Sequence, residues 1–293
     1  MKSKISASTP VWLDPQAYPF TSQWVRLPEG RMHYADEGKG EVVLFIHGTP
    51  AWSFLYRTYI RQLSTRFRCI APDHLGFGLS DKPPGIDYRP KAQAKRLAHF
   101  IEELNLTGIT LVVHDFGGPI GLGAAMDIPD RIKRVVMFNT WLWETASLPA
   151  VVKIDRLVSS RLGRWLYVNL NFSPRFLLKK GFAHKQKLTG KLHQAYLGPF
   201  PHRQSREGVY GLAKGLKGDS VWYASLWKRL DTLAEKPWLI LWGMKDEFIT
   251  PDFLKTWKKA LPSVEVHTYE VGHFVQEEAP QETMEQIAAF LRT

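Results

Sequence analysis

A single cysteine, Cys69, serves a chain of 293 residues, which excludes an internal disulfide and leaves no thiolate cluster for a zinc or redox site. No zinc-ligand spacing, helix-turn-helix pattern or glycine-rich nucleotide fingerprint is present. Apolar runs are short: 42–46 and 238–242 are strand-sized and far below membrane-spanning length. The first ten residues carry two lysines but no apolar block follows, so a secretory signal is not expected. Acid is scarce as well, with 28 Asp and Glu against 39 Lys and Arg for a net charge of +11. Five lysines fall between Lys179 and Lys191, with His184 among them and His193 just beyond. With no recognition motif beside it, that run reads as a solvated face rather than a nucleic-acid or lipid site. Together the absences point to a cytoplasmic protein with no nucleic-acid or membrane partner; a monomer or small homo-oligomer with no metal or organic cofactor is the accompanying expectation.

What is present is ordinary globular composition, 44% hydrophobic with 22 Gly and 19 Pro, in a length that fits one large domain or a core with an insertion. Strand patterns at 31–37, 41–46, 67–71, 111–113 and 135–138 alternate with helical patterns at 54–63, 90–104 and 117–126. In 90–104 the apolar positions Ala94, Leu97, Phe100, Ile101 and Leu104 form one buried stripe. Such alternation predicts an α/β fold, a mostly parallel sheet with helices on both faces. It stops near Thr140. From 141 to 230 there is no clean strand, while 148–157, 162–170 and 221–230 have amphipathic helical spacing. Strands at 238–242 and 264–269 and helices at 251–260 and 281–291 then complete the pattern. The expected organisation is a core of 1–140 and 231–293 interrupted by a helical cap, 141–230, roofing a pocket at the carboxyl ends of the strands.

Four places carry chemistry. Residues 110–118 run from a β-branched strand through His114 and Asp115 into Gly117 and Gly118, a strand-to-helix turn with a carboxylate at its apex. An ionised carboxylate can displace a leaving group from saturated carbon, so Asp115 is the candidate nucleophile rather than a simple helix cap. His273 sits in a loop after the strand at 264–269, where its near-neutral pKa suits a base. Asp246 follows the strand at 238–242 and can hold the second ring nitrogen of His273, with Glu247 and Glu144 as competitors. The backbone N–H groups of Thr49, after His47-Gly48, and of Phe116 can converge on a developing oxyanion. Ser80, in a glycine-rich loop, reads as structural.

These segments, with HGTPAWSFLYR over 47–57 and PDHLGFGLSDKP over 72–83, resemble the α/β-hydrolase superfamily and within it the branch of haloalkane dehalogenases and epoxide hydrolases. The resemblance spans nearly the whole core and keeps the order nucleophile, acid, histidine. It implies an α/β-hydrolase fold and a hydrolase in which Asp115 forms an ester with a small hydrophobic substrate. His273, supported by Asp246, then activates water to cleave it, and Thr49 and Phe116 steady the oxyanion. Hydrolytic dehalogenation is the leading activity. In that family a tryptophan usually follows the nucleophile and donates to the halide, and Phe116 offers only a ring edge there. Cap residues Trp165, Trp222 and Trp227 are candidate substitutes. Epoxide opening would call on cap phenols such as Tyr167, Tyr196, Tyr210 and Tyr223; a β-lactone substrate and a noncatalytic small-molecule-binding protein are the remaining alternatives.

Overall fold

The apolar segments of the sequence become the strands of one eight-stranded sheet in the computed structural model, which describes residues 10–292. The strands are β1 (Ser22–Leu27), β2 (Gly30–Glu37), β3 (Val42–Ile46), β4 (Arg68–Pro72), β5 (Ile109–Val113), β6 (Ile132–Met137), β7 (Trp238–Gly243) and β8 (Glu265–Tyr269). Their spatial order is β1-β2-β4-β3-β5-β6-β7-β8. The β1/β2 and β2/β4 pairs are antiparallel, and every pair from β4 to β8 is parallel.

Because helices cover both faces, β3, β5 and β7 are buried along their whole length. Successive side chains serve opposite sides: Leu44, Ile46, Leu111 and Val113 belong to one core, Val43, Phe45 and Val112 to the other. The first core packs on α2 (Pro90–Glu103) and α3 (Gly117–Asp127); the second packs on α1 (Arg57–Leu63). The order in which successive strands are laid down reverses at β3, with β4 added on one side and β5 on the other, while the strands stay parallel. The crevice outside the carboxyl ends of β3 and β5 is therefore the topological switch point.

Between β6 and β7 the chain is helical: α4 (Pro149–Val158), α5 (Arg161–Leu170), α6 (Leu178–Gly181), α7 (Gly190–Leu197), α8 (Glu207–Gly218), α9 (Ser220–Trp227) and the short α10 (Asp231–Ala234). After β7 come α11 (Pro251–Ala260), α12 (Val275–Glu278) and α13 (Pro280–Phe290). The helix expected at 54–63 is a 3-10 turn over Ser53–Tyr56 leading into α1. Sequence pattern did not reveal β1, an edge strand with only partial burial, or α8, whose glycines resemble loop residues. In α8 they form a packing stripe: a Cβ on Gly208, Gly211 or Gly215 would lie 2.8, 2.5 or 2.1 Å from Gly76, Tyr88 or Pro90. Among the described residues no helix is long and apolar enough to cross a membrane.

Candidate active site

Asp115 stands at the switch point with φ +53, a left-handed conformation that is strained for a residue with a Cβ. The turn is held on every side. The N–H of Asp115 donates to the Asn139 carbonyl at 2.9 Å, Gly118 N–H donates to the Asp115 carbonyl at 2.9 Å, and the Thr140 hydroxyl donates to the same carbonyl at 2.6 Å. Glycine is needed opposite the apex, since a Cβ on Gly48 would sit 2.1 Å from Asp115 Oδ1. The carboxylate accepts from the backbone N–H of Thr49, 2.8 Å to Oδ1, and from that of Phe116. Burial raises the pKa of Asp115, while His273 and those two N–H donors oppose the rise.

The turn carrying Thr49 is set by a pair of buried histidines. His47 Nδ1–H donates to the Gly48 carbonyl at 2.7 Å, and its Nε2 accepts from His74 N–H at 3.0 Å. Burial keeps His47 and His74 below the ordinary imidazole range, so both stay neutral donors and acceptors of backbone bonds. Asp73 secures the neighbouring loop by accepting from Ser53 N–H at 2.7 Å, Leu79 N–H at 2.8 Å and the His33 ring at 2.9 Å. Burial works against its charge, but His33 and its other partners hold its pKa at about 2. Ser80 donates to the Asp73 carbonyl and is part of this scaffold.

His273 reaches Asp115 from the loop after β8. Its Nε2 lies 3.6 Å from Asp115 Oδ2, beyond a good direct hydrogen bond, and its Nδ1 is 2.7 Å from Asp246 Oδ2. The other oxygen of Asp246 accepts from Phe248 and Ile249 N–H at 2.8 and 3.1 Å, so this buried carboxylate is fully engaged. Glu144 and Glu247 are exposed, and Glu247 pairs with Lys180. Burial pulls the His273 pKa down, but Asp246 and then Asp115 outweigh it and leave the group raised. The cap holds this loop too: His273 N–H donates to the Gly181 carbonyl at 2.7 Å.

All five residues singled out from sequence, Asp115, Asp246, His273, Thr49 and Phe116, thus meet at one crevice. The three cap tryptophans named from sequence make no ring contact with Phe116. Trp165 is half-exposed, Trp222 packs against Gly123 and Tyr223, and Trp227 meets Trp143 and Trp257 edge-on. The ring beside Phe116 is instead Trp141, edge-on at 4.9 Å, and Trp141 also meets Tyr223 edge-on at 5.8 Å. Trp141 is buried and its indole Nε1 has no hydrogen-bond partner among the described residues. Three of the four candidate phenols are committed elsewhere: Tyr196 to Glu277, Tyr210 to the Val158 carbonyl and Tyr223 to the Gly215 carbonyl. Asn139, at the end of β6, bridges to Gly243 and is structural. No group of three or more metal-ligating side chains occurs among the described residues.

A buried carboxylate at a strand-to-helix apex, facing a loop imidazole that is backed by a second carboxylate, defines an α/β hydrolase of the aspartate-apex type. Residues 41–280 match the α/β hydrolase fold family. "Haloalkane dehalogenase 2" of Mycobacterium tuberculosis is 37% identical over 270 residues, which is 91% of this chain and 93% of that protein. A Shewanella oneidensis protein named cis-3-alkyl-4-alkyloxetan-2-one decarboxylase is 34% identical over 285 residues, covering 93% and 89%. Among solved structures, the haloalkane dehalogenase DatA of Agrobacterium tumefaciens superposes with a TM-score of 0.83 at 26% identity, covering 92% and 96%. The chain belongs to the α/β-hydrolase family, in its haloalkane-dehalogenase-like branch.

Proposed function

We propose that this enzyme hydrolyses small hydrophobic haloalkanes to an alcohol and a halide through an ester on Asp115. The observation that carries the reading is the unequal engagement of the two Asp115 oxygens: Oδ1 rests on the Thr49 N–H, while Oδ2 faces His273 Nε2 at 3.6 Å. Oδ2 attacks the carbon bearing the halogen, the C–O bond forms as the carbon–halogen bond breaks, and halide leaves with the bonding pair. Burial favours this step because the carboxylate is stripped of the water that would stabilise its charge. His273 Nε2 then takes a proton from water as the water oxygen adds to the Asp115 carboxyl carbon. Negative charge develops on the carbonyl oxygen, where the Thr49 and Phe116 N–H groups stand ready. Collapse expels the alkoxide, which takes the proton back from the imidazolium, and Asp246 stabilises that cation throughout; the carboxylic acid left on Asp115 then gives its proton to solvent, which restores the nucleophile. Core 1–140 and 231–293 supplies these groups and cap 141–230 roofs them. A reducing cytoplasmic setting fits the lone buried thiol of Cys69.

The test removes the base. His273→Phe incubated with a panel of haloalkanes is expected to release one halide per protein and to leave an alkyl adduct on the Asp115 peptide, read by mass. Halide release by the wild type with no adduct on that peptide would overturn the mechanism. A β-lactone is the second substrate class, supported by the Shewanella relative and by one from Xanthomonas campestris of the same name at 33% identity. Opening its ring on Asp115 leaves the departing carboxylate attached, so the adduct carries the whole lactone mass and no halide appears.

A further inference from the structure

The whole net charge of the protein resides in one part of the cap. Between residues 145 and 206 there are twelve Lys and Arg and a single acid, Asp155, which is the excess of +11 found for the entire chain. The remainder is balanced. Asp155 is already taken by Lys217 and Ser159. Arg164 and Lys180 reach acids outside the stretch, Glu207 and Glu247, whereas Lys153, Arg156, Arg161, Lys179 and Lys191 are exposed and make no ion pair among the described residues.

The same stretch exposes apolar side chains. Of the seven large hydrophobic residues exposed among the described residues, five lie here: Ile154, Leu157, Leu162, Trp165 and Phe176. Ile154 and Leu157 are three apart on α4, and Leu162 and Trp165 three apart on α5, so each pair shares a helix face. The two helices contact each other, and the backbone at Gly163 closes on the Leu157 carbonyl, which a Cβ would approach to 1.8 Å. A surface that served only solubility would carry Lys153, Arg156 and Arg161 without the exposed Ile154, Leu157, Leu162 and Trp165 on the same two contacting helices.

We infer that this face of the cap docks on an anionic lipid bilayer. Lysine and arginine would meet lipid phosphates while the aliphatic and aromatic side chains enter the acyl boundary, a pairing of two weak signals that together hold a protein at a membrane surface. A second copy of the chain is a poor occupant because it would bring the same excess of positive charge. A nucleic acid would use the cations but has little for Ile154, Leu157 or Phe176 to contact. The association is peripheral: among the described residues no helix is long and apolar enough to span. It gives the cap a supply of hydrophobic substrate dissolved in the bilayer, whichever leaving group the site accepts.

Sedimentation with vesicles tests the inference on the full-length protein. Binding is expected to phosphatidylcholine vesicles containing phosphatidylglycerol at about 0.1 M salt, at least tenfold tighter than to phosphatidylcholine alone, and to weaken as salt rises. Arg161→Gln with Lys179→Gln should weaken it about 25-fold, at roughly fivefold per cation, and Trp165→Ser with Phe176→Ser should weaken it about tenfold. Turnover of a short water-soluble substrate stays unchanged in both variants, which certifies their folding. Absence of binding, or equal binding to neutral vesicles, would overturn the proposal. So would apolar variants that bind as well as the wild type while RNA competes, an outcome that assigns the face to a polyanion instead.

Discussion

Asp246 does two things to His273: its charge raises the imidazole pKa against burial, and its Oδ2 accepts the Nδ1–H at 2.7 Å and so fixes the tautomer. Asp246→Asn keeps the size and removes the charge. Neutral imidazole is the base, so ester hydrolysis falls as pH drops through the His273 pKa, which in the wild type stands above the ordinary 6.5. Asp246 counts for more than Asp115 in that rise and persists when Asp115 is esterified. With Asn, burial acts less opposed, so the acid limb moves to lower pH while the plateau rate falls by roughly 10²- to 10⁴-fold. Single-turnover decay of the Asp115 ester across pH reads both, and an unmoved limb would show that no charge at 246 bears on His273. The leaving group raises a different question, because Phe116 brings no N–H to the apex. Trp141→Phe removes the unpartnered indole N–H and keeps an aromatic ring; halide release should slow by about one to two decades, from the roughly 1.5–3 kcal/mol of a donor to a charged acceptor. Adding Phe116→Trp should restore much of it, and an unaltered rate in Trp141→Phe would remove the indole from the mechanism. Asp115, His273 and Asp246 were legible because each follows a recognisable strand end. Trp141 was not, since it is one of 11 tryptophans and no local spacing says that its N–H lacks a partner.

Elements, not residues, decide how the His273 loop is held. Glu278, buried at the end of α12, accepts from Gly272 N–H at 2.9 Å on the core side and from Ala183 and His184 N–H at 3.1 and 2.6 Å on the cap side. One carboxylate thus joins the segment before His273 to the segment after α6. Glu278→Ala strands three backbone donors and should cost about 3 kcal/mol in urea unfolding, with a fall in kcat as the imidazole loses its setting. Stability loss without any change in kcat would show that Gly181 alone holds the loop. Long alternating elements of the core were legible because apolar runs of strand length are bounded by Gly and Pro and separated by one clear helical stripe each. In the cap, α4 and α5 begin within a residue of where spacing put them, while α8 escaped because Gly208, Gly211 and Gly215 were needed for close approach to the core, and glycine in a helix has no sequence signature of its own.

At the scale of the molecule, the cap carries its charge as a self-repelling cluster on a neutral core. The run from Lys179 to Lys191 was visible in the sequence as a solvated face; what sequence could not say is that apolar side chains stand exposed on the same insertion. Repulsion among twelve cations spread over 62 residues acts within about one Debye length at 0.1 M salt and is nearly abolished at 1 M. Surface ion pairs elsewhere, such as Lys255 with Asp252 and Arg89 with Asp87, are screened as well, but each is worth only about 0–1 kcal/mol and most lie in the balanced core. Repulsion therefore wins, and stability should rise with sodium chloride between about 0.01 and 0.3 M. A gain of about 1 kcal/mol corresponds to roughly 1.5–2 °C in Tm for a chain of 293 residues. Arg161→Gln with Lys179→Gln should raise Tm at low salt and flatten its salt dependence. Calorimetry at three salt concentrations checks both, and a Tm that falls with added salt would mean that the core's ion pairs outweigh the crowding of charge on the cap.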